Sequence, residues 1–262
     1  MFKYAVVSND YQETKLKVID LKSKLMKINA IEDTINPEYV FVVGGDGTFI
    51  KSINIYQEIL KEVIFVPFHA GGIGFYTNHN NAADEKELLN AIKSNDYKLY
   101  YYDLLDIEFD NKHIFAVNEL KIVNETKPIF TTINIDGKFF ETFHGSGLVF
   151  STANGSTGYL KSTGGAVILD NHDIWEMQEI FPVSTNKFRT INSPIVMSKW
   201  HVVTLGGEVN KQDLIIDTFS YKVIQEKIHV KIADFKVNVL VLPSYNVRKA
   251  EILKDIFVKD KI

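Results

Sequence analysis

The sequence predicts an α/β N-terminal domain followed by a β-rich C-terminal domain, and three observations carry that prediction. Apolar strand-like runs alternate with helix-period segments over the first ninety or so residues. Glycine-rich turns follow two of those runs, "GGDGT" at 44–48 and "HAGGIGFYTN" at 69–78. From about residue 98 the texture changes to period-2 runs of β-branched and aromatic residues separated by hairpin signals.

The elements follow in order. Tyr4 to Val7 reads as a short buried strand. Residues 11 to 28 place Leu16, Ile19, Leu21, Leu25 and Ile28 near a 3.6 period with charges between them, a helix. Tyr39 to Val43 is the next strand, then the glycine turn and a helix from about Thr48 to Leu60. Val63 to Phe68 is a third strand, and a helix from Asp84 to Ser94 closes the section. Strands alternating with helices imply βαβ units and a Rossmann-like, mostly parallel sheet. Beyond residue 98, "LYYYDLLDIEFD", "HIFAVNELKIVN", "TTINIDGKFFETF" and "GSGLVFSTA" read as strands, with turns at Asp110-Asn111 and Asp136-Gly137. "WHVVTLGGEV", "DLIIDTF" and "KIHVKIADFKVNVLVL" continue the pattern, while residues 172–180 read as a helix. This divides the chain into residues 1–97, 98–245 and a C-terminal tail or helix, 246–262.

Composition excludes several function classes. The chain has 262 residues, 45% hydrophobic and 24% charged, with a net charge of −4. That balance argues against non-specific attachment to nucleic acid or an anionic membrane, which need a basic face. There is no cysteine, so disulfides and thiolate chemistry are excluded. The seven histidines show no HxH or HExxH spacing, and no metal-ligating set is read from the sequence. The two tryptophans, Trp175 and Trp200, read as core or interface anchors. Without a secretory signal pattern or an 18-residue apolar run, the expectation is a cytoplasmic protein.

Three stretches could carry chemistry. In "VVGGDGTF", residues 42–49, the turn aims backbone amides and a helix N-terminus at one spot, a phosphate site formed by Gly44, Gly45, Gly47 and Thr48. Asp46 stands at that spot, where a carboxylate would repel phosphate; a helix cap, a metal anchor and a base against the substrate are all open readings. Asn118-Glu119 lies in an apolar strand-like run, so one of the two faces inward and requires hydrogen bonds; together they could hold vicinal ribose hydroxyls. "STANGSTGYLKSTGGA", residues 151–166, leaves an apolar strand; hydroxyls of Ser156, Thr157 and Ser162 beside Tyr159 would suit purine edges, ribose and phosphate.

With these stretches in this order, the chain resembles the NAD kinase family. "GGDGT" at 44–48, "HAGGIGFYTN" at 69–78, "NE" at 118–119 and "GSGLVFSTANGSTGY" at 145–159 match that family's signature blocks, and "FRTINSP" at 188–194 is similar to a further segment. GGDG alone is shared with lipid kinases and phosphofructokinases; the four blocks together are specific. The resemblance implies transfer of the γ-phosphoryl of ATP, with Mg²⁺ or another divalent cation, to the adenosine ribose 2′-hydroxyl of NAD, giving NADP. It also implies a β-sandwich-like second domain, an active site in the crevice between the domains and a homotetramer or dimer. By position, Asp46 would be the general base, with Gly47 beside the substrate, and Asn118 and Glu119 would hold the adenosine half of NAD. Phe75 and Tyr76 would flank the adenine, and Asn154, Thr157, Gly158, Tyr159 and Ser162 would line the dinucleotide site, partly across a subunit boundary.

The chain departs from the family at Ser146, where an acid that touches the nicotinamide amide is usual, and at His144, where a basic residue is common. Ala153, Gly158 and Phe181 replace Pro, Ala and a small residue. Two alternatives follow: a catalytically weak NAD- or NADP-binding sensor, and a lipid or sugar kinase sharing the glycine turn.

Overall fold

The first sheet begins with β1 (Lys3–Ser8), followed by α1 (Gln12–Lys27), the short β2 (Ile31–Glu32), β3 (Tyr39–Gly44), α2 (Asp46–Ile55), β4 (Ile64–His69), α3 (Glu85–Ser94) and β5 (Lys98–Tyr102). The structure, a computed structural model, describes residues 1–69, 74–77, 85–169, 173–186, 189–243 and 249–258, without the side chains of residues 68 and 69. Residues 70–73 and 78 of the second glycine block, Asp84 at the expected helix start and Phe188 of "FRTINSP" lie outside the described residues. Strands β2, β1, β3 and β4 pair in that order, all parallel. Val40, Phe41, Val42 and Val43 are buried in succession, the pattern of a strand covered on both faces.

In α1 the buried stripe runs through Thr14, Leu21 and Leu25, with Val18 partly covered. Leu16 and Ile19, expected on that stripe, are 65% and 66% exposed. They sit about half a helical turn away from Leu21 and Leu25 at 100° per residue, so both cannot share that face.

A second unit follows: β6 (Leu105–Phe109), β7 (Lys112–Ala116), β8 (Glu119–Val123), β9 (Ile129–Ile135), β10 (Lys138–Thr152), α4 (Tyr159–Ser162), β11 (Ile174–Pro182), β12 (Ile195–Ser198), β13 (Val203–Gly207), β14 (Asp213–Ile216), β15 (Phe219–Lys222) and β16 (Ile228–Ile232). These strands form one antiparallel sheet ordered β15-β14-β8-β10-β9-β13-β16-β6-β7, with β11 joining β10 and β12 beside that path. Both expected hairpin turns are present, with positive φ at Asp110, Asn111, Asp136 and Gly137, the conformation a type I′ turn requires. Trp175, Phe150, Phe143 and Phe109 lie at the centre of the buried core, and the Trp175 indole donates to the Ser198 carbonyl at 3.1 Å. Trp200, by contrast, is 78% exposed.

Two expectations need correction. Residues 174–182 form β11 and not a helix. Their apolar spacing fits either element, but ladders to β10 on one side and β12 on the other fix an interior strand. The chain also returns to the first sheet. Strand β17 (Val237–Val241) pairs parallel with β4 and antiparallel with β5, and α5 (Lys249–Leu253) follows. The units are therefore Met1–Tyr102 with Val237–Ile262, and Asp103–Lys236, in place of divisions at residues 97 and 245. Strand β17 is as apolar and alternating as its predecessors, so sequence pattern alone cannot say which sheet receives it.

Strands β10 and β11 also bury two acids. Glu141 and Glu179 accept the backbone amides of Ile191 and Asn192 at 3.2 and 2.7 Å. Burial, then the adjoining Glu179 carboxyl, pushes Glu141 from its ordinary 4.5 up to about 8. The folded state therefore binds more protons than the unfolded chain between those values, and stability falls as pH rises through this window. Thermal midpoints measured from pH 5 to about 8.5 should decline on this account, and Glu141→Gln should flatten the decline. An unchanged slope in that variant would refute it.

Candidate functional site

Helix α2 starts directly at the glycine turn, with Gly45 as its N-cap residue and no side chain capping it. Asp46 is the first helical residue, so the cap reading of this acid is not what the fold uses. Its carboxylate turns to the 74–77 segment instead. Oδ2 accepts the Phe75 amide at 2.8 Å, and Oδ1 accepts the Tyr76 and Thr77 amides at 2.9 and 3.3 Å. Glycine is required at position 74, because a side chain there would run into the Asp46 carboxylate. These amides turn the carboxylate towards the 74–77 segment at the first turn of α2. Beside that turn lies a cleft of about 520 Å³, lined by Asn9, Asp10, Gly45, Gly47, Thr48 and Lys51.

The two aromatics of this block differ. Phe75 is half-buried, whereas Tyr76 is only 3% exposed and stacks on Phe49 at 4.9 Å, with Tyr102 edge-on. The Tyr76 ring belongs to the core of the first unit and not to an open adenine-flanking surface.

The second unit gathers the other candidates around a bend between β7 and β8. Asn118-Glu119 had been expected within one continuous strand, but residues 117 and 118 interrupt it. The cause is Asp217, in the turn after β14. Its carboxylate accepts the amides of Val117, Asn118 and Glu119 at 3.1, 2.9 and 3.1 Å. The opposite side of the bend is tied to the end of β10. Thr152 Oγ1 donates to the Val117 carbonyl at 2.7 Å, and the Asn118 carbonyl accepts from Ser151 Oγ and the Thr152 amide. Gly155 packs against that same carbonyl so closely that any Cβ would collide with it. The "NE" pair and the "STANGSTGY" loop are thus one hydrogen-bonded unit.

Within it, among the described residues, two polar atoms are buried and have no hydrogen-bond partner: Glu119 Oε2 and Asn154 Nδ2. Buried polar atoms are rarely left so. One is an acceptor and the other a donor, the complement of a polyhydroxylated or heterocyclic ligand. Lys121, two residues along β8, places its ammonium 3.3 Å from Glu119 Oε1 and 4.7 Å from the centre of the Tyr159 ring. Thr157 is buried with its hydroxyl on the Asn154 carbonyl, while Ser162 is exposed. Ser156, expected to present its hydroxyl to a ligand, is fully buried; it donates to the Ala153 carbonyl and accepts the Ile168 amide at 2.7 and 2.9 Å. That hydroxyl closes the loop on itself.

His144 and Ser146 lie further back on β10, where His144 pairs with Phe130 of β9. Ser146 is five residues from Ser151, roughly 17 Å at ordinary strand rise, so one chain does not bring it to the "NE" corner. The sequence reading assigns no individual role to Asp217, Lys121, Ser151 or Thr152. Ser151 and Thr152 open the 151–166 stretch, and Asp217 carries a signal as a turn former between two alternating runs.

Comparison with known proteins places the chain in a family. A profile of the ATP-NAD kinase C-terminal domain matches residues 117–240. An NAD kinase of Lactobacillus johnsonii is 35% identical over 241 residues, covering 90% of this chain and 88% of that protein. An NAD kinase of Enterococcus faecalis is 33% identical over 245 residues, covering 87% and 92%. Among solved structures, an NAD kinase from Archaeoglobus fulgidus in complex with ATP superposes with a TM-score of 0.72 at 20% identity, over 97% of both chains. Yeast NADH kinase complexed with NADH reaches 0.78 at 15% identity, over 99% of this chain and 89% of that one. At such identities the structural likeness carries the fold alone.

Proposed function

The chain belongs to the NAD kinase family, and from that premise we propose that it transfers the γ-phosphoryl of ATP to the 2′-hydroxyl of the adenosine ribose of NAD, giving NADP and ADP. The observation that carries the acceptor side is the pair of buried, unpartnered atoms, Glu119 Oε2 and Asn154 Nδ2. In this reading Glu119 accepts ribose hydroxyls and Asn154 donates to the adenosine half. Asn118, Thr157, Gly158, Tyr159 and Ser162 complete that surface, and the family pattern assigns Phe75 to the adenine.

Phosphoryl transfer demands positioning and neutralised charge more than covalent help from the protein. The amides of Gly45 and Gly47, with Thr48 and the positive end of α2, suit the donor phosphates; the cleft beside them gives the phosphates room. Among the described residues no group of three or more His, Asp or Glu could hold a metal ion. The divalent cation is therefore assigned to the donor's own phosphates, the usual habit of Mg²⁺, with Asp10 as the acid lining that cleft. Asp46 takes the proton from the 2′-hydroxyl as its oxygen attacks γ-phosphorus and the bond to the β-phosphate oxygen breaks. Among the described residues one backbone amide reaches Oδ2, and that oxygen keeps a lone pair for the task.

His144 and Ser146, remote along β10, are assigned to the nicotinamide end of a dinucleotide bound across a subunit boundary, in a homotetramer or dimer within the cytoplasm. The relatives do not favour a lipid or sugar kinase. Incubation with ATP, Mg²⁺ and NAD, followed by a dehydrogenase-coupled readout, should show NADP formed one for one with ADP. Calorimetric NAD binding without any NADP would overturn the kinase reading in favour of a sensor.

A further inference from the structure

We infer that Lys121 is a positioning residue for the acceptor dinucleotide, joining Glu119 of the sheet to Tyr159 of the loop through one ammonium group. The inference rests on the reading above, in which Glu119 accepts ribose hydroxyls.

Glu119 and Lys121 are two apart on β8 and so point to the same face of the sheet. Lys121 reaches Glu119 Oε1 and leaves Oε2 without a partner, so it fixes the carboxylate while one oxygen stays available. The same ammonium lies over the Tyr159 ring, an arrangement that favours a cation. Tyr159 opens α4 directly after the "GSTG" turn, so this contact ties the loop's exit to the strand that carries "NE". The pair is no ordinary surface ion pair. Its side chains are 17% and 7% exposed, which limits screening by solvent.

The charge arrangement gives the contact its purpose. Around Glu119 are Asp217 from the turn after β14, Gly158 just before α4, the neutral Ser151 opposite it on β10, and Lys121 on its own strand, whose ammonium lies over Tyr159. Two acids thus meet at this corner, and Lys121 is the cation against Glu119. Burial pushes the Glu119 carboxyl up from its ordinary value, and Lys121 opposes that push. Without the lysine, Glu119 takes up a proton at a higher pH, and a protonated carboxyl is a poorer acceptor for a ribose hydroxyl.

The test compares Lys121→Met and Lys121→Arg with the wild type. Steady-state rates would be measured from pH 5 to 8.5 with NAD varied, and again with ATP varied. Lys121→Met should move the acidic limb of kcat/KM for NAD upward by about one pH unit. Along that limb its KM for NAD should rise by up to about tenfold, the factor that one pH unit represents, while KM for ATP is unchanged. Lys121→Arg should restore the wild-type limb. A merely structural lysine would lower the melting temperature and leave the limb in place, and that result would overturn the inference. If Lys121→Met does not fold, Glu119→Gln serves: calorimetric NAD affinity should lose its dependence on pH at the acidic end, and persistence of that dependence would count against the inference equally. Calorimetric NAD titrations over the same pH range read the same shift without turnover. A wild type that makes no NADP would therefore refute the function above while leaving this inference testable.

Discussion

Asp46→Ala is expected to lower NADP formation by about 10²- to 10⁴-fold, the usual contribution of a positioned general base, while calorimetry still detects NAD. The structure adds a second consequence. Asp46 also anchors the 74–77 segment through the Phe75, Tyr76 and Thr77 amides, so its removal leaves those donors unsatisfied. Each such loss costs about 1 to 3 kcal/mol when the group stays buried. Asp46→Asn separates the two roles. Its carbonyl oxygen can still accept the Tyr76 and Thr77 amides, whereas its NH₂ group meets the Phe75 amide donor to donor. The expected order is therefore equal inactivity of both variants, with a melting temperature for Asp46→Asn between wild type and Asp46→Ala. Near-full turnover in Asp46→Ala would end the assignment of this acid as proton acceptor.

How far the sequence disclosed this molecule depends on the range of the interactions involved. The glycine turn, the parallel strands around it and the two I′ turns at 110–111 and 136–137 rest on local backbone chemistry, and each is found as expected. Failures occur where a partner distant in sequence decides. Residues 174–182 become a strand because β10 and β12 flank them, and β17 leaves its sequence neighbours to pair with β4 and β5. The same division holds at the site. The "NE" pair and the 151–166 loop stand out by residue type alone. That a hydroxyl at 156 closes its own loop, that the Tyr76 ring is taken up by Phe49 and Tyr102, and that Lys121 bridges to Tyr159 depend on packing. Asp217 is the extreme case: it is about a hundred residues away in sequence from the amides it binds.

Asp217→Ala should be the most damaging change outside the reacting groups, with a stability loss on the order of 3 kcal/mol and a raised KM for NAD. Its carboxylate collects the three amides that shape the Asn118-Glu119 bend, and its own amide donates to the Glu119 carbonyl at 2.8 Å. Asp217 also sits at φ +52°, where Ala is strained and Asn or Asp is tolerated. Asp217→Asn is accordingly the milder variant. It keeps the backbone preference and an oxygen for the Asn118 and Glu119 amides, and loses the bond from Val117. The pH dependence supplies an independent check. Burial pushes Asp217 up from 3.8 to about 7, the amides pull it back, and the neighbouring Glu119 charge adds to the rise. Folded protein therefore binds the extra proton between those values, and the wild type loses stability as pH rises through that window. Asp217→Asn has no such proton to lose, so its deficit in melting temperature should narrow between about pH 4 and pH 7. A constant deficit would mean that the carboxylate is not the group that titrates. Wild-type KM for NAD in both variants would mean that the bend it holds is not the acceptor site.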